Sequence, residues 1–386
     1  MRSWRLRAGL LLLLVAAAAV AIFVLPGSDD DGDESAQEPD GTTTTREAPA
    51  TGPAARLSDT ELVDQVLLLG FDGSDPSAPA LAELAERQLG GILVSTANWP
   101  DAAAGTRLVE AIRKAGRRDD RIAPLLVTSQ EGGPYRALPD LPPQQSALEI
   151  ADAGSLDDAE QWSEGSSRAL ADAGIDLNLF PIADVATLDS AIADRAFSDD
   201  ATVAAQFTAA AVRGCRTAEL ACAAAHFPGL GGASQDTNQG PATVSLDPAG
   251  LRARDLQAFE AAFDERVPAV VLSLALYASY DPITPGALAE PVATGLLREE
   301  LGFKGVAITD DLGAGAVRAT STVPKAAVQA LTAGADLVQI GSPEHQRGVE
   351  KALLTALADG ELPRERLLEA AGRVLELKRA QGLIED

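Results

Sequence analysis

The chain has 386 residues, enough for one large α/β domain or for two or three smaller ones. Apolar residues make up 46%, ample for a core, and with aromatics at only 4% that core must rest on aliphatic packing. A formal net charge of −26 repels a phosphate backbone and argues against nucleic acid as a partner; it likewise argues against the folded part lying flat on anionic lipid.

At the N-terminus, Arg2, Arg5 and Arg7 precede an uninterrupted apolar run from Ala8 to Leu25. That run is about the length needed to cross a bilayer. Positive charge before it keeps the N-terminus cytoplasmic and sends the rest outward. Pro26, Gly27 and Ser28 make a poor small-x-small cleavage site. Residues 1–26 are therefore expected to be a signal anchor, with a cleaved signal peptide as the alternative. The run ends without a cysteine, so lipoprotein anchoring is not supported. Residues 27–56 are acidic and nearly free of large apolar side chains, the composition of a disordered linker that supplies reach.

From Leu57 the texture changes. Short apolar runs recur at Leu67–Leu69, Gly91–Ser95, Pro124–Thr128, Asp176–Pro181, Ala221–Ala225, Pro268–Ser273, Gly305–Thr309 and Asp336–Ile340, with helix-patterned stretches between them. Apolar runs without alternation suit strands buried on both faces. Eight of them separated by helices predict a single-domain (β/α)8 TIM-like barrel over 57–386, with an open doubly wound sheet as the alternative. The stretch from Glu344 to Lys378 reads as helices that close the domain. Cys215 and Cys222 are either a short-loop disulfide, which export permits, or two small core residues.

In such a barrel the chemistry sits just beyond the C-terminal strand ends. Polar groups fall there at Ser129-Gln130-Glu131, Asp184, Asp194-Arg195, His226 and Asp310-Asp311.

Four segments then match one family in order. Ala225-His226-Phe227-Pro228-Gly229-Leu230-Gly231 resembles the KHFPGHG segment of family 3 glycoside hydrolases. Ser129-Gln130-Glu131-Gly132-Gly133 resembles its DQEGG, Ile192–Phe197 its IGDRSF, and Leu296–Gly305 followed by VAITDDLG its segment ending in SDDL. The resemblance covers nearly all of 57–384 and is nearest to the single-domain bacterial β-N-acetylglucosaminidases that act on cell-wall fragments. It implies a retaining hydrolase of β-linked N-acetylhexosamine that needs no metal or cofactor, with a cell-wall glycan fragment as its carbohydrate partner. Membrane contact would come only through the anchor, on the outer face.

The resemblance also implies roles. Asp310 becomes the nucleophile and Asp311 its structural neighbour; as a bare pair they could equally cap the next helix. Arg195 becomes a sugar-binding guanidinium, the alternative being a salt bridge to Asp194, and His226 a sugar contact, the alternative being a satisfied core histidine. Glu131 and Asn238 join the substrate-binding set. The family's proton donor is the histidine of an Asp-Ser-His triplet, which here reads Asp236-Thr237-Asn238. An amide cannot give and take a proton as imidazole does, so Asp236 is the expected catalytic replacement, with Glu131 or another loop carboxylate as alternatives. Ser129, Ala225 and Leu230 depart from the family's Asp, Lys and His. These losses raise a second reading, an inactive barrel that binds glycan or protein at the cell envelope, and a third, a scaffold in an envelope complex.

Overall fold

Strands buried on both faces need no polar alternation, and the short aliphatic runs of this chain form such strands. In the computed structural model, which describes residues 52–116, 121–187 and 189–384, they are β1 (Leu67–Leu69), β2 (Gly91–Leu93), β3 (Leu125–Thr128) and β4 (Leu177–Asn178). The second half supplies β5 (Ala221–Phe227), β6 (Ala269–Leu272), β7 (Val306–Thr309) and β8 (Val338–Ile340). Neighbours in sequence pair in parallel from β1 to β7, and β8 returns to β1 with Leu67 opposite Val338. A parallel bridge between Ile308 and Leu337 joins β7 to β8 and closes the ring. Every one of the eight expected runs is a strand, and closure overturns the doubly wound alternative.

Because side chains alternate across each strand, the sheet builds two cores. The larger packs between sheet and helices. The smaller fills the barrel with Leu68, Leu125, Val127, Leu177, Ala223, Val271, Ile308 and Leu337, and reaches Val374 and Leu377. Those last two lie on the helix Arg364–Ala380, which therefore closes the N-terminal mouth, as expected of the tail. Lys378 on the same helix is fully buried there; its Nζ donates to Gln65 Oε1 at 2.8 Å and to the Leu89 carbonyl at 2.6 Å.

Local signals start the helices where the barrel needs them. Ser58 with Glu61, Ser146 with Glu149 and Ser155 with Asp158 form reciprocal capping boxes. Asp336, just before β8, is buried and gathers three guanidinium groups, from Arg298 (2.6 Å), Arg366 (2.7 Å) and Arg373 (3.0 Å). A buried carboxylate with three such donors fixes helix position more than it adds net stability.

Residues 1–26 and most of the expected linker lie outside the described residues. Pro53–Arg56, inside the expected linker, is a 3-10 turn with Ala54 buried. The cause is local: proline presets the turn and Ala54 is small enough to pack. Cys215 and Cys222 are free, buried thiols, with Cys215 Sγ 3.4 Å from Ser163 Oγ, in keeping with the core reading. Among the described residues no helix is long and apolar enough to cross a membrane.

Candidate active site

The C-terminal mouth of the barrel holds a cavity of about 150 Å³, with Ser129, Glu131, Arg195, His226, Asp310 and Gln339 on its wall. Four of the expected site residues, drawn from four different strand ends, thus meet in one place.

Asp310 follows β7 directly. Its main-chain N–H donates to Leu272 O at 3.0 Å, which fixes it against β6. One carboxylate oxygen, Oδ1, accepts the Asp311 N–H at 2.8 Å. The other has no hydrogen-bond partner among the described residues and is left for a ligand. Asp311 has a different task. Its Oδ1 accepts from Gly313 N (2.9 Å) and Gly341 N (3.1 Å), which ties the end of β7 to the end of β8. A Cβ at Gly341 would lie 2.5 Å from Asp311 Oδ2, so the close approach requires glycine there. Burial raises the Asp311 pKa, opposed by these N–H groups and reinforced by the charge of Asp310. Asp311 is the structural neighbour it was expected to be.

Arg195 and Glu131 form a fork-to-fork pair, Nε–Oε2 2.7 Å and Nη2–Oε1 2.9 Å. Ser129 Oγ donates to Glu131 Oε1 at 3.0 Å. Burial disfavours the guanidinium charge, yet Glu131, Asp184 and Asp310 together raise the Arg195 pKa, so it is a permanent cation facing the cavity. The alternative partner, Asp194, is taken: it accepts the Tyr135 hydroxyl at 2.7 Å, and that hydrogen bond, with burial, pushes the Tyr135 pKa up to about 12. The Arg195 guanidinium sits 5.6 Å from the Tyr135 ring centre, a cation–π contact on its other side.

His226 is held by Asp184, a fully buried carboxylate in the loop after β4. Nδ1 donates to Oδ2 at 2.8 Å, and Oδ1 accepts the main-chain N–H groups of His226 (3.2 Å) and Leu230 (2.6 Å). With Nδ1 committed as donor, Nε2 is the ring nitrogen left for the cavity. Burial works against protonation, but the charge and hydrogen bond of Asp184 outweigh it, and the His226 pKa is raised.

Asp236 and Asn238 do not line this cavity. Asp236 is half-buried on the loop after β5, and its Oδ1 accepts both the main-chain N–H (2.8 Å) and the side-chain amide (3.1 Å) of Asn238. The loop is pinned at the rim: Thr237 O and Asn238 O accept from Ala316 N (2.9 Å) and Gly315 N (3.0 Å), just beyond Asp310 in the chain. Of the three departures noted above, Ser129 and Ala225 are on the cavity wall, whereas Leu230 is packed in the larger core.

In the sequence Asp184 is legible only as a polar group near a strand end, and Gln339 does not stand out at all. A glutamine interrupting the apolar run of β8 was the available signal.

A model of the glycosyl hydrolase family 3 N-terminal domain matches residues 60–377. A β-hexosaminidase of Stenotrophomonas maltophilia (strain K279a) is 33% identical over 292 residues, 72% of this chain and 84% of the relative. The structure of a β-N-acetylhexosaminidase from Beutenbergia cavernae superposes with a TM-score of 0.76 at 28% identity, over 84% of this chain and 99% of that one. A family 3 β-N-acetylglucosaminidase from Paenibacillus sp. superposes with a TM-score of 0.82 at 28% identity; the match covers 86% of this chain but 64% of that longer one.

Proposed function

Because the chain belongs to family 3 of the glycosyl hydrolases, we propose that it removes a terminal β-linked N-acetylhexosamine from a glycan with retention of configuration, Asp310 attacking the anomeric carbon. The hexosaminidase and acetylglucosaminidase relatives support this substrate class and favour a hydrolase over the non-catalytic binder that the altered triplet raised. The observation that carries the reading is Asp310 itself. Its carboxylate lines the cavity at the end of β7 with one oxygen free of any protein donor among the described residues, opposite cationic Arg195 and the imidazole of His226.

Retaining hydrolysis needs a carboxylate nucleophile on one face of the sugar and a proton donor at the leaving oxygen. Arg195 and His226 supply donors that grip hydroxyls and place the ring. Glu131 is committed to Arg195 by two hydrogen bonds, so in this reading it positions the guanidinium and does not carry the proton. The proton donor is Asp236, on a rim loop already anchored beside the segment that follows Asp310. Asn238 holds only Oδ1 of Asp236; Oδ2, with no partner among the described residues, meets a leaving group that extends to the rim, gives it the proton as acid and then takes one from water as base.

The export reading belongs to the same proposal. Arg2, Arg5 and Arg7 ahead of the apolar run 8–25 support an enzyme held on the outer face of the membrane, or secreted where the signal is cleaved, with cell-wall glycan fragments within reach.

Hydrolysis of nitrophenyl β-N-acetylglucosaminide by the wild type and by Asp310→Asn tests the core of this. Turnover that the substitution reduces by several orders of magnitude supports a working nucleophile. Equal silence of both proteins, on this and on other β-glycosides, would reject the hydrolase.

A further inference from the structure

On β8 the side chains alternate between the two cores. Leu337, just before the strand, points into the barrel; Val338 and Ile340 pack outward against the helices. Gln339 is the next inward position, one layer above Leu337, and it lines the cavity that contains Asp310. Its main chain is locked to the neighbouring strand: Gln339 N–H donates to Thr309 Oγ1 at 3.0 Å, and Gln339 O accepts from Leu312 N at 3.0 Å. Gln339 therefore stands beside the nucleophile, on the adjacent strand and in the same layer.

The residue is 92% buried, being 8% exposed, and its Oε1 has no hydrogen-bond partner. No described residue bonds to its Nε2 either. Leaving such a group unpaired costs about 1–3 kcal/mol, while apolar side chains fill the equivalent inward places at Leu337, Ile308 and Val271 at no such cost. Folding thus does not call for an amide at this position. A half-turn about its terminal torsion presents either the carbonyl or the NH2 end to the cavity.

We propose that Gln339 is a substrate-binding residue that reads the substituent on C2 of the sugar, pairing its amide with the acetamido group. The inference rests on the hydrolase reading above. Asp310 must face C1, so a group beside it in the same layer meets the ring carbon next to the reacting one. An acetamido group holds its N–H and C=O on opposite edges, so the Gln339 amide pairs with one of them: Nε2 donates to the carbonyl, or after the half-turn Oε1 accepts the N–H. A hydroxyl at C2 does not extend as far as the acetamido carbonyl or present its amide N–H, and it leaves the Gln339 amide unpaired. A site whose buried polar group is left unpaired by the wrong substrate discriminates against it strongly.

The test compares wild type with Gln339→Leu on nitrophenyl β-N-acetylglucosaminide and nitrophenyl β-glucoside, with calorimetric titration of N-acetylglucosamine and of glucose alongside. The expected result is a loss of about ten-fold in kcat/KM on the acetamido substrate, the size of one neutral hydrogen bond. The glucoside rate should be unchanged and the melting temperature equal or higher. Gln339→Met, closer in shape, repeats the comparison should leucine disturb packing. An equal loss on both substrates, or no loss on either, overturns the proposal. A wild type silent on both glycosides rejects the hydrolase reading alone, because the titrations still decide the residue. Binding of N-acetylglucosamine that the variant weakens supports it; binding that is unaltered, or absent in the wild type, overturns it.

Discussion

The carboxylate of Asp184 holds His226 through both of its oxygens, Oδ2 on the ring Nδ1 at 2.8 Å and Oδ1 on the main-chain N–H at 3.2 Å. That grip sets the tautomer and aims Nε2 at the cavity. In Asp184→Asn the charged acceptor is gone, and a charge-assisted hydrogen bond of about 1.5–3 kcal/mol goes with it. The kcat/KM should fall about ten- to hundred-fold, and any limb of its pH profile due to His226 should move to lower pH, because Asp184 is what raises that pKa against burial.

The same pair makes a pH-dependent contribution to stability. The folded pKa of His226 lies above its ordinary value, so the contribution is fully present below the unfolded pKa of about 6.5 and is lost as pH rises through the raised folded pKa. Denaturant unfolding of the wild type and Asp184→Asn should show a stability gap that is wider at about pH 5.5 than at about pH 8.5. A gap that widens with pH would contradict the assignment.

At the opposite mouth, burial pushes the Lys378 pKa down to about 7, although Asp176 and Asp64 oppose the shift. Between that pH and the ordinary lysine range the unfolded chain binds the extra proton, so stability rises with pH across the window. Compared with Lys378→Met, the wild type should gain stability from about pH 7 to about pH 10. Catalysis at a fixed pH should be unaffected, since Lys378 sits under the barrel and not at the cavity.

Much of this was legible in the sequence, for identifiable reasons. Strands buried on both faces read as unbroken apolar runs, and the strand-end rule then selected Asp310, Arg195, His226 and Glu131, which do meet. What stayed hidden were partnerships across long sequence distances. Arg195 pairs with Glu131, 64 positions away, and not with adjacent Asp194. The grip of Asp184 on His226 spans 42 positions. Gln339 and Lys378 escaped because a polar residue inside an apolar pattern does not reveal whether it points to solvent, to a partner or into a cavity. Loop position was the other gap: nothing in the triplet 236–238 says that it is fastened at the rim to Gly315 and Ala316.

Asn238→His restores the triplet histidine that the family resemblance associates with proton transfer. Its main-chain carbonyl is already held by Gly315 N, so the substitution keeps the loop anchored. General acid–base catalysis contributes about 10²–10⁴-fold. The variant should therefore gain at least about ten-fold in kcat on a disaccharide with a poor leaving group, and much less on a dinitrophenyl glycoside, which departs without help. Equal gains on the two would point away from proton transfer.

In the proposed mechanism Asp310 forms a covalent bond to the sugar. A dinitrophenyl β-N-acetylglucosaminide carrying fluorine at C5 keeps the C2 acetamido group, needs no acid to react and slows breakdown of the intermediate. Intact-mass analysis after incubation should show one added glycosyl unit, and peptide mapping should place it on Asp310 and find none in Asp310→Asn. Turnover of a nitrophenyl substrate without any such adduct, or an adduct on another carboxylate, would contradict the account.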